Sequence, residues 1–189
     1  MNICIIPARG GSKRIPRKNI KDFCGQPIIT WSIEAALNCT SFGRVIVSTD
    51  DDEIAEISRK YGAEVPFKRS KSLSDDHTST IPVIKNAIKW LEMNNEKVDS
   101  ICCLYPTAPF IEESYIEQGL KKLIENNASY SISVTSFSYP IQRAIKFTKN
   151  ERLTMFFPEN INKRSQDLEK SFHDAGQFYW GKRSAWMKE

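Results

Sequence analysis

Residues 5–20 read IIPARGGSKRIPRKNI. Ile5 and Ile6 end an apolar run, and Pro7, Gly10 and Gly11 turn the chain into a loop carrying Arg9, Lys13, Arg14, Arg17 and Lys18. Six of the first 22 residues are Lys or Arg and only Asp22 is acidic, whereas the 189-residue chain carries a net charge of just +4. The charge is therefore local. A solvated charged face has a similar composition, but the placement weighs against it. Glycines let backbone N–H groups approach a ligand, and cations supply charge and donors for phosphate oxygens. Ligands of open α/β sheets lie beyond the carboxyl ends of the strands, where this loop begins. The physical reading is a polyphosphate site.

Two common phosphate loops do not fit. A P-loop needs GxxxxGK followed by Ser or Thr, and a dinucleotide fingerprint needs GxGxxG; the Gly10–Gly11 pair supplies neither. The crowd of cations suits a triphosphate whose leaving pyrophosphate must be neutralised.

Outward from this loop the chain alternates strand and helix patterns. Residues 2–7 read as a buried strand. QPIITWSIEAALNC (residues 26–39) reads as a helix with Pro27 in its first turn and Ile29, Ile33, Ala36 and Leu37 at helical spacing. RVIVSTD (44–50) is a strand, 51–61 an acidic-led helix stopped by Gly62, and AEVPF (63–67) a short edge strand limited by Pro66. The polar loop 69–80 leads into a helix whose stripe is Ile81, Ile84, Ile88 and Leu91. DSICCLY (99–105) is an apolar strand, 112–126 a helix with Ile116, Leu120, Leu123 and Ile124 inward, and SYSISVTSF (129–137) a further strand. The alternation predicts a mainly parallel sheet flanked by helices. Residues 138–170 lack that rhythm and read as an extension, or arm. HDAGQFYWGKRSAW (173–186) then gives a strand and the start of a helix.

The length predicts one domain, 1–189, with room for a substantial core. No apolar run reaches membrane-spanning length, and the chain starts on a strand pattern rather than a signal peptide. The five cysteines show no CxxC spacing, and Cys4, Cys102 and Cys103 lie in apolar runs. They read as small buried residues in a reducing, cytoplasmic compartment. His77 and His173 are far apart in sequence and read as hydrogen-bonding loop residues.

IPARGGSKRIPRKN (6–19) resembles the opening motif of the CMP-sialic acid synthetases, cytidylyltransferases of nine-carbon 2-keto acids. The likeness continues in order through VIVSTDDDEIA (45–55), YGAEVPFKRSKSLSDDHTST (61–80), LYPTAP (104–109) and KRSQDL (163–168). DAGQFYW (174–180) is most similar to the bacterial pseudaminic acid branch.

The resemblance implies a Rossmann-like nucleotidyltransferase fold and a homodimer, with the arm as the dimerisation element. It implies transfer of CMP from CTP to a nonulosonic acid, pseudaminic acid first, with release of pyrophosphate. Ala8, Arg9, the Gly10–Gly11–Ser12 backbone, Lys13 and Asn19 would bind nucleotide, and Arg69, Thr78 and Thr80 would recognise cytidine. Capping of the helix before Ile81 is the structural alternative for the two threonines. Arg9, Lys18 and Arg164 would serve catalysis, with Lys18 stabilising the departing pyrophosphate. Tyr105, Arg164, Asp174 and Gln177 would meet the sugar; Tyr105 stands where the sialic acid enzymes carry glutamine.

Mg²⁺ is the expected cofactor. The family's Asp-x-Asp element near the C-terminus has no equivalent after Trp186, which leaves the metal ligands unassigned and predicts a shortened chain. Asp50, in the STD stretch, reads structurally as a cap of the helix that follows it.

N-acetylneuraminic and legionaminic acids are alternative substrates. A 3-deoxy-manno-octulosonate enzyme fits less well, because LYPTAP lacks the Gly-Asp of that group. A nonenzymatic nucleotide- or RNA-binding module is the alternative of another class. Aromatic residues do not interleave with the loop's cations as base-stacking platforms require. Neither a nucleic-acid partner nor a membrane is expected.

Overall fold

The computed structural model describes residues 1–188. The first elements are β1 (Asn2–Pro7), the short pair β2 (Asp22–Phe23) and β3 (Gln26–Pro27), α1 (Ile28–Asn38), β4 (Arg44–Ser48) and α2 (Asp52–Lys60). They are followed by α3 (Thr80–Met93), β5 (Ser100–Leu104), α4 (Glu113–Glu125) and β6 (Tyr130–Ser136). Then come β7 (Ile145–Phe147), β8 (Leu153–Met155), β9 (Phe172–Lys182) and α5 (Arg183–Met187). The described chain forms two compact units, residues 1–133 with 176–188, and residues 134–175.

The first unit is built on a sheet of order β4-β1-β5-β9-β6. β1 pairs in parallel with β4 (Cys4 opposite Val45) and with β5 (Cys4 opposite Cys102). β9 runs antiparallel to β5, with Trp180 opposite Cys102. Successive strand side chains point to opposite faces, and both faces of this sheet are apolar. Cys4, Ile6, Val45, Val47, Cys102 and Leu104 face a core filled by α1 and α4, whereas Ile3, Ile5, Ile46, Ile101 and Cys103 face α3 and Trp186. Burial on both sides explains the unbroken apolar runs of these strands. Trp180 is fully buried, donates its indole N–H to Ile116 O at 2.8 Å and stacks on Phe42 at 5.1 Å.

Four local expectations change. Leu37 and Ile124 are 45% and 64% exposed rather than inward. Each lies one residue past the last core position of its helix, about 100° round from the buried stripe. Residues 63–67 form no strand, only isolated parallel bridges from Ile46 to Glu64 and from Thr49 to Lys68. Pro66, lacking an N–H, falls between them. Pro27 is the N-cap of α1 rather than a residue of its first turn. The cap of α2 is Asp51, whose carboxylate accepts the Ile54 N–H at 3.0 Å, and not Asp50.

The second unit holds the antiparallel pair β7–β8, with Lys146 opposite Thr154, and several short 3-10 turns. The expected arm, 138–170, falls inside it. Ile145, Phe147, Leu153 and Phe156 are all more than half exposed.

Candidate active site

The parallel strands β1, β4 and β5 end side by side, and their carboxyl ends carry the loop after Pro7, the Ser48–Thr49–Asp50 turn and Tyr105. Ala8 continues the β1–β4 ladder by donating to Ser48 O at 2.9 Å, after which the chain leaves the sheet. It returns through Arg17, in the left-handed region at φ 56°, and a 3-10 turn at Lys18–Ile20.

A cleft of about 940 Å³ opens over these strand ends. Arg9, Ser12, Lys13, Lys18 and Asn19 line it together with Arg69, Thr78, Thr80 and Tyr105. Residues distant in sequence are thus brought to one cavity. Ala8 is buried beneath the loop, and Gly10 and Gly11 are not part of the cleft lining. The Gly10 N–H donates to Asp50 Oδ1 at 3.0 Å, and the Ser12 N–H to Gly10 O at 3.0 Å. Two of the three backbone donors expected for phosphate are engaged within the protein, which leaves the cationic side chains as the main phosphate-directed groups.

Arg69 follows the Thr49–Lys68 bridge, and its N–H donates to Thr49 O at 2.8 Å. It is only 5% exposed, and its Nε and Nη2 have no hydrogen-bond partner. Burial pushes its pKa down; the carboxylate of Asp50, 3.8 Å away, opposes that shift, and Arg9 adds to it. Asn19 is also buried, holding Arg9 O with its amide N–H at 2.9 Å while its Oδ1 has no partner. Buried polar groups are normally paired, so Arg69 and Asn19 mark where a polar ligand would complete the site.

Thr78 donates its hydroxyl to Asp75 Oδ1 at 2.7 Å. The first helical residue is Thr80, and its N-cap, Ser79, makes no side-chain cap bond. Capping therefore accounts for neither threonine. The Thr80 hydroxyl lies 3.4 Å from Tyr105 Oη, and the Tyr105 ring packs on Tyr179 at 5.2 Å. The Tyr105 N–H donates to Gln177 O at 2.8 Å, which brings Gln177 beside this edge of the site. Arg164 and Asp174 belong to the second unit, where Arg164 pairs with Asp167 at 2.7 Å and His173 Nδ1 is 2.9 Å from Asp174 O.

The carboxylates of the 69–80 loop were not singled out from the sequence. Asp75 accepts the N–H groups of His77 and Thr78 at 2.9 and 2.6 Å. Asp76 pairs with Arg9 at 2.7 Å and also with Lys13. The Lys13 and Arg9 bonds hold its carboxyl below the usual range. A signal was present in the sequence, two aspartates on a loop otherwise rich in donors, but their partners come from another segment. No group of three or more His, Cys, Asp or Glu side chains is placed to hold a metal among the described residues. With Asp75 and Asp76 committed to protein donors, the residues present do not fit a protein-held Mg²⁺.

The model of the Cytidylyltransferase family matches residues 3–177. A pseudaminic acid cytidylyltransferase of Campylobacter jejuni is 50% identical over 188 residues, covering 100% of this chain and 81% of its own. An N-acylneuraminate cytidylyltransferase B of Danio rerio is 34% identical over 186 residues, covering 96% of this chain and 42% of its own. Among solved structures, a CMP:2-keto-3-deoxy-manno-octonic acid synthetase complexed with CTP superposes with a TM-score of 0.71 at 22% identity. That match covers 98% of this chain and 75% of the other, and shows a shared fold. Matched by the family model over residues 3–177 and half-identical along its length to the C. jejuni relative, the chain belongs to the cytidylyltransferase family.

Proposed function

We propose that this enzyme transfers CMP from CTP to a nonulosonic acid, pseudaminic acid before N-acetylneuraminic or legionaminic acid, and releases pyrophosphate. The observation that carries the reading is the cleft itself. Phosphate-seeking cations Arg9, Lys13 and Lys18 share it with a buried guanidinium, Arg69, whose Nε and Nη2 lack hydrogen-bond partners. Cytosine offers a carbonyl oxygen and a ring nitrogen as acceptors and an amine as donor, which suits Arg69 beside the Thr78 and Thr80 hydroxyls.

In this reading the anomeric hydroxyl of the sugar gives up its proton to water as its oxygen attacks the α-phosphorus of CTP. The bond from that phosphorus to the bridging oxygen breaks, and pyrophosphate leaves toward Lys18. Tyr105, whose N–H is held by Gln177 O, meets the sugar. The roles of Arg164 and Asp174 toward the sugar, and the homodimer, rest on the resemblance and on the family. Magnesium enters with CTP as part of the substrate. A reducing cytoplasmic setting fits the five free cysteines. The half-identical C. jejuni relative supports pseudaminic acid as the acceptor.

A pyrophosphate-release assay with a panel of nonulosonic acids and of CTP, ATP and GTP tests the proposal. Turnover with CTP and pseudaminic acid, at least roughly tenfold above N-acetylneuraminic acid, is the expected ranking for one or two polar contacts. Equal use of the three nucleotides would reject it.

A further inference from the structure

Asp50 follows the end of β4, and one of its oxygens meets two parts of the cleft. Oδ1 accepts the Gly10 N–H at 3.0 Å and lies 3.8 Å from Arg69 Nη2. Gly10 belongs to the loop that carries the phosphate-seeking cations. Arg69 is the buried guanidinium whose Nε and Nη2 have no hydrogen-bond partner. A buried cation needs a countercharge, and Asp50 is the carboxylate paired with it.

The neighbouring residue supports the same loop from its other end. Asp51 caps α2 and also binds the Arg17 guanidinium, with Nη2 at 3.0 Å from Oδ1. A Cβ placed on Gly10 would come within 2.6 Å of Asp51 Oδ2, so the loop lies directly against this pair of aspartates. Asp50 thus fixes the start of the loop and Asp51 its end, while Asp50 alone reaches across to Arg69.

We propose that Asp50 is a positioning residue, tying the phosphate loop to the base-side arginine so that triphosphate and cytosine are gripped in one register. Asp50 is not among the residues lining the cleft; it acts through Gly10 and Arg69. The inference rests on the cytidylyltransferase reading above.

Two variants separate its two contacts. Asp50→Asn keeps an acceptor for the Gly10 N–H but removes the charge beside Arg69. Asp50→Ala removes both. Calorimetry on the whole chain and on each variant compares CTP with inorganic tripolyphosphate, which lacks the base. Asp50→Asn is expected to bind tripolyphosphate at least as tightly as the unaltered chain, since a nearby negative charge is gone. It should bind CTP about tenfold more weakly, the scale of one charge-assisted contact. Asp50→Ala should lose about tenfold or more on both ligands.

Parallel changes for the two ligands in Asp50→Asn, or none, would overturn the bridging role. That comparison stands even if Asp50→Ala fails to fold. An unaltered chain that binds ATP as well as CTP would instead overturn the functional reading, and this inference with it.

Discussion

The carboxylate of Asp76 lies 2.7 Å from the guanidinium of Arg9, on the wall of the cleft that the nucleotide phosphates are proposed to enter. Lys13 pairs with the same carboxylate. In the free chain a protein anion therefore stands where the ligand's anion would be recognised.

Replacing Asp76 by Asn should free Arg9 and Lys13 for phosphate. Tripolyphosphate and CTP should bind more tightly by up to about fivefold, the range of exposed ion pairs. Titration calorimetry at low and at 0.5 M salt checks this, with the gain shrinking as salt screens the cleft. Weaker binding in the variant would mean that Asp76 orders the two cations rather than competing for them.

Lys18→Ala should leave CTP affinity within a few-fold and cut turnover by about a hundredfold, near 3 kcal/mol of transition-state stabilisation. The separation of dissociation constant from kcat is the measurement. Normal turnover would remove Lys18 from the pyrophosphate side of the reaction.

Acid should loosen the loop through Asp51. The Arg17 hydrogen bond holds its carboxyl below the ordinary value of 3.8, although burial pushes the other way. A carboxylate whose folded pKa is lowered stabilises fully above its unfolded pKa and loses that contribution as pH falls through the folded value. Thermal melts should show a constant advantage of the unaltered chain over Asp51→Asn above roughly pH 5, shrinking below it. An advantage that stays unchanged down to pH 2 would mean that the charge of Asp51 does not supply it.

Gly119 lies within α4, and a Cβ there would meet Phe178 Cε2 at 2.7 Å and Trp180 Cδ1 at 2.9 Å. Ala instead of Gly gains about 1 kcal/mol of helix propensity. Overpacking against two ring systems costs about 1–3 kcal/mol, and their close approach puts this site toward the upper figure. Gly119→Ala should therefore lower the melting temperature by a few degrees, measured by circular dichroism. A rise would show that the aromatic pair yields easily.

β1, β4 and β5 were legible because each is covered on both faces, and a doubly covered strand writes itself as an uninterrupted apolar run. Leu37 and Ile124 misled because an apolar residue one step past a helical stripe has the right chemistry and the wrong azimuth. The cations, Arg69 and Tyr105 could be nominated for the site from the resemblance, and the strand ends carry them to one cleft. Asp75 and Asp76 could not be placed that way. Asp76 acquires its meaning only from Arg9 and Lys13, some sixty residues away in sequence, and no local pattern encodes that pairing. The engaged N–H groups of Gly10 and Ser12 were equally hidden, since glycine composition says that a backbone can approach a phosphate and not that its donors are free.

Of the five thiols, Cys4, Cys39, Cys102 and Cys103 are buried and only Cys24 is exposed. Burial pushes the Cys39 thiol up to about 12 and those of Cys102 and Cys103 well above their ordinary range, so these sulfurs stay protonated and slow toward alkylating reagents. Cys24 sits between β2 and β3 at φ 53°, five positions after Asn19 of the cleft. The native chain thus carries a single-site attachment point for a maleimide fluorophore, close in sequence to the basic loop. Labelling there needs no engineered cysteine and no removal of the other four, and the dye's emission would follow the loop as nucleotide arrives.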